Sequence, residues 1–141
     1  MSRLLEIALS QYGIKELGGP EDNPEIMKYF KEIGQEWVEH DETAWCSAFV
    51  NWCAKKAGFE YSGKLDARSW LNLGTKVKTY DKADIVVLWR ESPDSWKGHV
   101  GVPVNEDEDY IWILGGNQSN MVKISPYPKD RLLAYIKLYP I

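Results

Sequence analysis

Residues 43–58 read TAWCSAFVNWCAKKAG and predict the helix on which the rest of the fold is built. Thr43 is a favourable N-cap, Gly58 is a favourable terminator, and the segment between them is apolar almost all round. A helix with this pattern is normally buried, so we expect it at the centre of the molecule. With Thr43 as the cap, Cys46 takes the third helical position, where unpaired N–H groups and the helix dipole favour a thiolate.

Two shorter helices are predicted before this one. Residues 3–17 carry apolar side chains at helical spacing and end at Gly18-Gly19-Pro20. Asn23-Pro24 is a typical helix start, and Gly34 closes the second helix. Residues 35–43 are polar and read as a loop. After the central helix we expect one more short helical piece, over Ala67–Leu73.

The second half of the chain changes to strand patterns. Ile85–Trp89 is a continuous apolar run, and alternating residues from His99 to Val104 predict the next strand. Three further strands are predicted over 110–114, 121–124 and 132–138. Helices followed by a mostly antiparallel sheet indicate the α+β class. We expect one domain over residues 1–141, with a helical part of about 1–74 and a sheet part of about 83–141.

Composition and charge exclude several classes of function. The net charge is −4 and no stripe of Lys or Arg is present, which argues against nucleic acid and anionic membranes as partners. No segment has the length and hydropathy of a transmembrane helix. Glu6 interrupts the only stretch that resembles a signal peptide, so we expect synthesis in the cytoplasm without a leader. A monomer without a cofactor is expected.

The two cysteines have different prospects. Cys46 and Cys53 lie two helical turns apart, roughly 10 Å, which is too far for a disulfide. Without further Cys or His at close spacing they also make a poor zinc site, and no metal is expected. Cys46 at the helix start is therefore a candidate nucleophile, whereas Cys53 reads as a core residue.

A thiol nucleophile needs a base, and the chain has two histidines. His40 lies in the polar loop and reads as a solvated residue. His99 begins a strand, and Gly101, its neighbour on the same face, is expected to leave open space beside the imidazole. His99 is therefore the better candidate.

The hairpin after His99 suggests a third residue. With residues 105–109 as the turn, the strands pair Val104 with Tyr110, Val102 with Trp112 and His99 with Gly115. Asn117 then shares the face of His99 and lies diagonally near it. Gln118 points the other way unless Gly115-Gly116 introduces a bulge. A Cys-His-Asn arrangement is one known way to orient a catalytic imidazole.

Three segments taken together carry a family resemblance. They are TAWCSAFVNW (43–52), GHVGV (98–102) and LGGNQSN (114–120), with support from residues 67–70 and 84–88. In order and spacing they resemble the CHAP and NlpC/P60 superfamily of papain-like cysteine amidases and peptidases, in particular its small phage-type group. The resemblance covers nearly the whole chain. Two departures are Ala83, where relatives usually have Gly, and Pro103, which suits an edge or a bulge.

The resemblance implies a papain-like fold that hydrolyses a peptide or N-acetylmuramoyl–peptide amide in peptidoglycan. Cys46 would be the nucleophile, His99 the base and Asn117 the third residue, with Gln118 as the rival. The substrate would be a stem or cross-bridge peptide, met after release or injection of the protein. A wall-binding or partner-binding module without activity, or a cysteine amidase or acyltransferase on another substrate, remains the alternative.

Two parts of the expected site are less defined. The oxyanion would rest on the backbone N–H of Cys46, with Gln35 or His40 as a side-chain donor. The chain has seven Trp, and Trp45, Trp70 and Trp96 are candidates for the walls of a substrate groove.

Overall fold

The computed structural model describes residues 2–17, 22–35, 37 and 45–141. Within them, three α-helices precede a six-stranded sheet, which confirms the predicted α+β class. The helices are α1 (Arg3–Ser10), α2 (Pro24–Lys31) and α3 (Cys46–Ala57). The strands are β1 (Thr75–Val77), β2 (Ile85–Trp89), β3 (Gly98–Glu106), β4 (Tyr110–Gln118), β5 (Met121–Pro128) and β6 (Leu132–Lys137). None of the helices in these ranges is long and apolar enough to cross a bilayer.

The sheet has the order β1-β6-β2-β3-β4-β5, and all of its strand pairs are antiparallel. Strand β3 pairs with β2 over its first four residues and with β4 over the rest. Helix α3 packs against β3 and β4, and α1 and α2 pack against α3. This arrangement sets the start of α3 beside the start of β3, where Cys46 and His99 lie.

Helix α3 is the buried centre that its sequence predicts. Every residue from Cys46 to Ala54 is buried, and Gly58 ends the helix with a left-handed φ of 83°. The predicted cap, Thr43, lies outside the described residues. The predicted position of Cys46 is wrong: Trp45 has non-helical dihedral angles and is the N-cap, so Cys46 is the first residue of α3 rather than the third. Its backbone N–H is still one of the groups that the helix leaves unpaired.

The first helix is shorter than predicted. Helix α1 ends at Ser10, and Gly13, with a φ of 93°, turns the chain into an extended segment along β5. The Gly13 N–H donates to the Val122 carbonyl at 2.9 Å, and the Val122 N–H donates to Ile14 at 2.7 Å. Residues 3–17 therefore form a helix followed by an extended segment. The extended segment forms because the edge strand β5 supplies backbone hydrogen-bond partners for residues 13 and 14. The predicted boundary at Gly18-Gly19-Pro20 lies outside the described residues.

The second helix begins as predicted, at Pro24. The Asn23 side chain accepts a hydrogen bond from the Glu25 N–H at 2.9 Å, which caps the helix. The short helical piece predicted over 67–73 is a 3₁₀ turn, Ala67–Asn72. Strand β1, which was not predicted, adds an outer edge by pairing with β6.

The predicted register of the β3–β4 hairpin is wrong. Val102 pairs with Leu114 instead of Trp112, and a bulge lies between Pro103 and Asn105. The turn is shorter than predicted because Asp107 accepts hydrogen bonds from the N–H groups at its closing end. Pro103 lies at the irregularity that its missing N–H favours, where β3 no longer pairs with β2.

Candidate active site

Cys46 and His99 meet where the start of α3 faces the start of β3. Both side chains are almost completely buried, with 7% and 6% of their surfaces exposed. The thiol and the imidazole are hydrogen-bonded to one another, and the thiol also accepts the N–H groups of Val100 and Ser47. The thiol therefore lies among donors that stabilise its ionised form.

The contact between Cys46 and His99 shifts the pKa of each group from its ordinary value. Burial raises the pKa of Cys46, but the hydrogen bond and charge of His99, with the two N–H groups, outweigh it and leave the pKa lowered. For His99, burial lowers the pKa, while Cys46 and Gln118 outweigh it and leave the pKa raised. Both shifts favour a thiolate–imidazolium pair, which is the reactive form of a cysteine nucleophile.

The second ring nitrogen of His99 is bound by Gln118. His99 Nε2 and Gln118 Oε1 lie 2.8 Å apart in the buried interior. The Gln118 amide nitrogen donates to the carbonyls of Ile113 (3.0 Å) and Lys123 (2.7 Å), so its oxygen is the atom that faces the ring. Because that oxygen only accepts, Nε2 carries the proton, and the lone pair of the neutral ring lies on Nδ1, on the side left for the thiol.

His99 is therefore hydrogen-bonded to Gln118, the alternative third residue, and not to Asn117. The physical reason is a register shift between Gly115 and Gln118 in the β4–β5 pair. Asn117 takes a left-handed φ of 57° within this bulge, which changes the face on which the next side chain emerges. Strict alternation of faces, which placed Asn117 beside His99, does not hold across the bulge.

The two glycines of this bulge each make room for one part of the site. A Cβ on Gly115 would lie 2.5 Å from Gln118 Oε1 and 3.4 Å from His99 Nε2. A Cβ on Gly116 would lie 2.6 Å from the ring of Trp45, the residue before Cys46. The Gly-Gly pair thus allows β4 to approach both the imidazole and the start of α3.

The face of the His99 ring is covered by Tyr127. The two rings stack with centroids 4.9 Å apart and planes at 23°. Burial raises the pKa of Tyr127 to about 12, so its hydroxyl stays neutral beside the imidazole. The space expected above Gly101 is filled, because a Cβ on Gly101 would meet the Ile113 side chain at 2.3 Å.

Cys46 opens to solvent through a cavity of about 190 Å³. His99, Asn117 and Trp96 also line it. Trp96 is 73% exposed, as a groove wall should be, whereas Trp45 and Trp70 are fully buried and belong to the core. The prediction that Trp45 and Trp70 line a groove is therefore wrong. The sequence alone did not show which of Trp45, Trp70 and Trp96 are buried, because each lies in or next to a segment with buried residues.

A family model described as a CHAP domain matches residues 38–117, more than half of the chain, and this range includes Cys46 and His99. The chain belongs to the CHAP domain family. The CHAP family comprises cysteine-dependent hydrolases and amidases of peptidoglycan. A comparison with curated proteins found no match.

Gln35 and His40 are the predicted side-chain donors to an oxyanion. His40 lies outside the described residues. Gln35 uses its amide nitrogen on the Gly63 carbonyl (2.7 Å) and its oxygen on the Trp37 indole (2.6 Å), so both ends of the side chain are occupied elsewhere. In the described ranges no group of three or more His, Cys, Asp or Glu side chains has the spacing to hold a metal ion.

Arg68 shapes one wall of the cavity, and sequence analysis did not single it out. Its guanidinium donates to three carbonyls of the loop between β2 and β3: Lys97 (2.8 Å), Pro93 (2.8 Å) and Ser92 (3.0 Å). This loop carries Trp96, and Arg68 thereby holds the exposed wall of the cavity in place. Arg68 belongs to the Ala-Arg-Ser-Trp segment of the resemblance. Its role was not predicted because the loop that it contacts lies about 25 residues further along the chain.

Proposed function

We propose that this CHAP domain hydrolyses an amide bond in the stem or cross-bridge peptide of peptidoglycan, or at its muramoyl end. The observation that carries the proposal is the chain of contacts from Cys46 to His99 to Gln118. It joins a thiol of lowered pKa to an imidazole whose tautomer is defined by a buried amide. We propose that the protein acts on the wall after release or injection.

The first half of the reaction forms an acyl-enzyme. The Cys46 thiolate, whose proton has passed to His99, attacks the carbonyl carbon of the scissile amide, and a C–S bond forms. The backbone N–H of Cys46, unpaired at the first helical position, is the proposed donor to the oxyanion. The C–N bond then breaks while the imidazolium of His99 gives its proton to the leaving amine.

The second half returns the enzyme to its starting state. Water enters the place of the amine, His99 takes one of its protons, and the hydroxyl oxygen attacks the thioester carbon. The C–S bond breaks, the carboxylic acid leaves, and the thiolate–imidazolium pair of Cys46 and His99 is restored. The net reaction consumes one water per amide bond and needs no further reactant.

Turnover of purified peptidoglycan tests this proposal. We expect the wild type to release new amine and carboxyl ends, identified by mass spectrometry, and Cys46→Ala to release none. Cys53→Ala is the matched control, because Cys53 is a fully buried thiol of the same helix that lies outside the cavity. The masses of the released fragments name the bond that is cut.

Two results would count against the proposal. Equal release by the wild type and by Cys46→Ala would remove Cys46 as the nucleophile. A folded wild type that leaves walls of several chemotypes unchanged would end the assignment to wall hydrolysis, and amides outside the wall would then be tested with the same pair of variants.

A further inference from the structure

A second cavity borders His99. Its volume is about 370 Å³, and it shares His99, Asn117 and Arg90 with the cavity that contains Cys46. Cys46 does not line it. The two cavities therefore meet at His99, Asn117 and Arg90, and an extended peptide has room to span both.

The lining of this second cavity is positively charged. Arg90 and Arg131 both line it, and no aspartate or glutamate does. Among the described residues neither guanidinium takes part in an ion pair or a side-chain hydrogen bond. Glu91, the acidic residue next to Arg90, is engaged by Lys97 at 2.7 Å. Arg90 is exposed and Arg131 is half-buried, so both guanidinium groups are accessible to a ligand.

Arg131 packs over the ring of Trp89. Its guanidinium lies 5.4 Å from the centre of the Trp89 ring, and the Trp89 indole donates to the Asp130 carbonyl at 3.3 Å. Stacking of this kind orients a guanidinium while leaving its N–H edge free for hydrogen bonds. A planar fork of donors in a cavity is the geometry that suits a carboxylate.

The proposed reaction indicates which part of the substrate enters the second cavity. The acyl group is bonded to Cys46, and the leaving amine must lie close to the imidazole that gives it a proton. The fragment on the nitrogen side of the scissile bond therefore extends past His99, into the cavity that Arg90 and Arg131 line.

Resting on the proposed function, we propose that Arg90 and Arg131 bind a free carboxylate on the amine-side fragment of the peptide substrate. Stem peptides carry such carboxylates, and in amidated form they lose this charge. The cavity would then make the enzyme selective for stems that keep the free acid.

Binding to the inactive variant Cys46→Ala tests the proposal without turnover. The probes are the tetrapeptide L-Ala-γ-D-Glu-L-Lys-D-Ala and the same peptide with both carboxyl groups converted to carboxamides, titrated by calorimetry at low ionic strength. We expect the free acid to bind about tenfold more tightly than the diamide. Adding Arg90→Gln and Arg131→Gln is expected to reduce this preference to below about twofold.

Arg3→Gln on α1 is the matched control, because it removes the same charge from an exposed site outside both cavities. It should leave the preference for the free acid unchanged. Equal binding of the two peptides, no measurable binding of either, or a preference that survives both arginine substitutions would overturn the proposal. Wall digestion by the wild type is measured separately. If the wild type digests walls but shows no preference for the free acid, only the proposed carboxylate site is wrong. If it digests no walls, the proposed function is wrong.

Discussion

Gln118 Oε1 accepts a hydrogen bond from His99 Nε2 at 2.8 Å, inside the protein and away from solvent. The amide of Gln118 is itself held by two backbone carbonyls, those of Ile113 and Lys123. A neutral side chain thus sets both the tautomer and the orientation of the imidazole, a role that a carboxylate or an asparagine has in other cysteine and serine hydrolases.

Removing the Gln118 amide should disable His99 while leaving the nucleophile in place. We expect Gln118→Ala to lower kcat by about 10²-fold, because Nε2 loses its acceptor and the ring can take the other tautomer or rotate. The measurement is wall turnover together with the ¹⁵N chemical shifts of the imidazole, which report the tautomer directly.

Asn117→Gly is the matched control, since glycine tolerates the left-handed φ of 57° and removes only the neighbouring amide. It should keep the tautomer of His99 and the pH dependence, with its effect limited to KM. If Asn117→Gly changed the tautomer and Gln118→Ala did not, the assignment of the orienting residue to Gln118 would be wrong.

The two thiols should titrate differently. Because His99 and the nearby N–H groups outweigh burial and lower the pKa of Cys46, its alkylation by iodoacetamide should rise with pH at values below those of a free cysteine. Burial raises the pKa of Cys53, which has no exposed surface, so Cys53 should stay unmodified in the folded protein. Mass spectrometry of the labelled peptides separates them.

The same pair of groups sets the pH range of hydrolysis. The rate should rise as Cys46 loses its proton and fall as His99 loses its own, at a pH above the ordinary range of histidine because its pKa is raised. In His99→Ala the alkylation of Cys46 should move to higher pH, since burial is then less opposed. Alkylation that stays where it was in this variant would show that His99 does not stabilise the thiolate.

The adjacent glycines of β4 offer a matched pair of substitutions. Gly115→Ala directs its methyl group at Gln118 and His99 and should lower activity by about 10²-fold through the orienting contact. Gly116→Ala directs its methyl group at Trp45 and Phe49 in the core and should lower the free energy of unfolding by about 1–3 kcal/mol. Denaturant unfolding and wall turnover on both variants distinguish the two effects. The reverse pattern would contradict the packing described for this bulge.

Loss of the Arg68 contacts should loosen the cavity wall. In Arg68→Ala the three loop carbonyls lose their donor, and Trp96 loses its support, so we expect KM for wall substrate to rise about tenfold with a smaller change in kcat. Arg68→Lys, which replaces the planar fork by a single ammonium, should recover part of this loss. A fall in kcat with KM unchanged would instead place Arg68 in support of the catalytic groups.

Local patterns were enough to predict much of this protein. The capping residues of α2, the buried character of α3, the apolar run of β2 and the α+β class all depend on side chains that lie next to one another in the chain. The sequence also placed Cys46 near the helix start and Cys53 deeper in the helix, although the exact position of Cys46 differs by two residues from the prediction. These features need no knowledge of which segments meet.

Other features depend on contacts between segments that are distant along the chain. A bulge in β4 places Gln118 rather than Asn117 on His99, and no local pattern states whether two glycines will pair regularly or shift the register. Helix α1 is shorter than predicted because residues 13–16 form hydrogen bonds with β5 and the residue before it, which are distant in sequence. Arg90 and Arg131 lie 41 positions apart and share a cavity because the end of β2 pairs with the start of β6. Side-chain alternation predicts a face only while the register is unbroken, and the register is set by the packing of the whole sheet against α3.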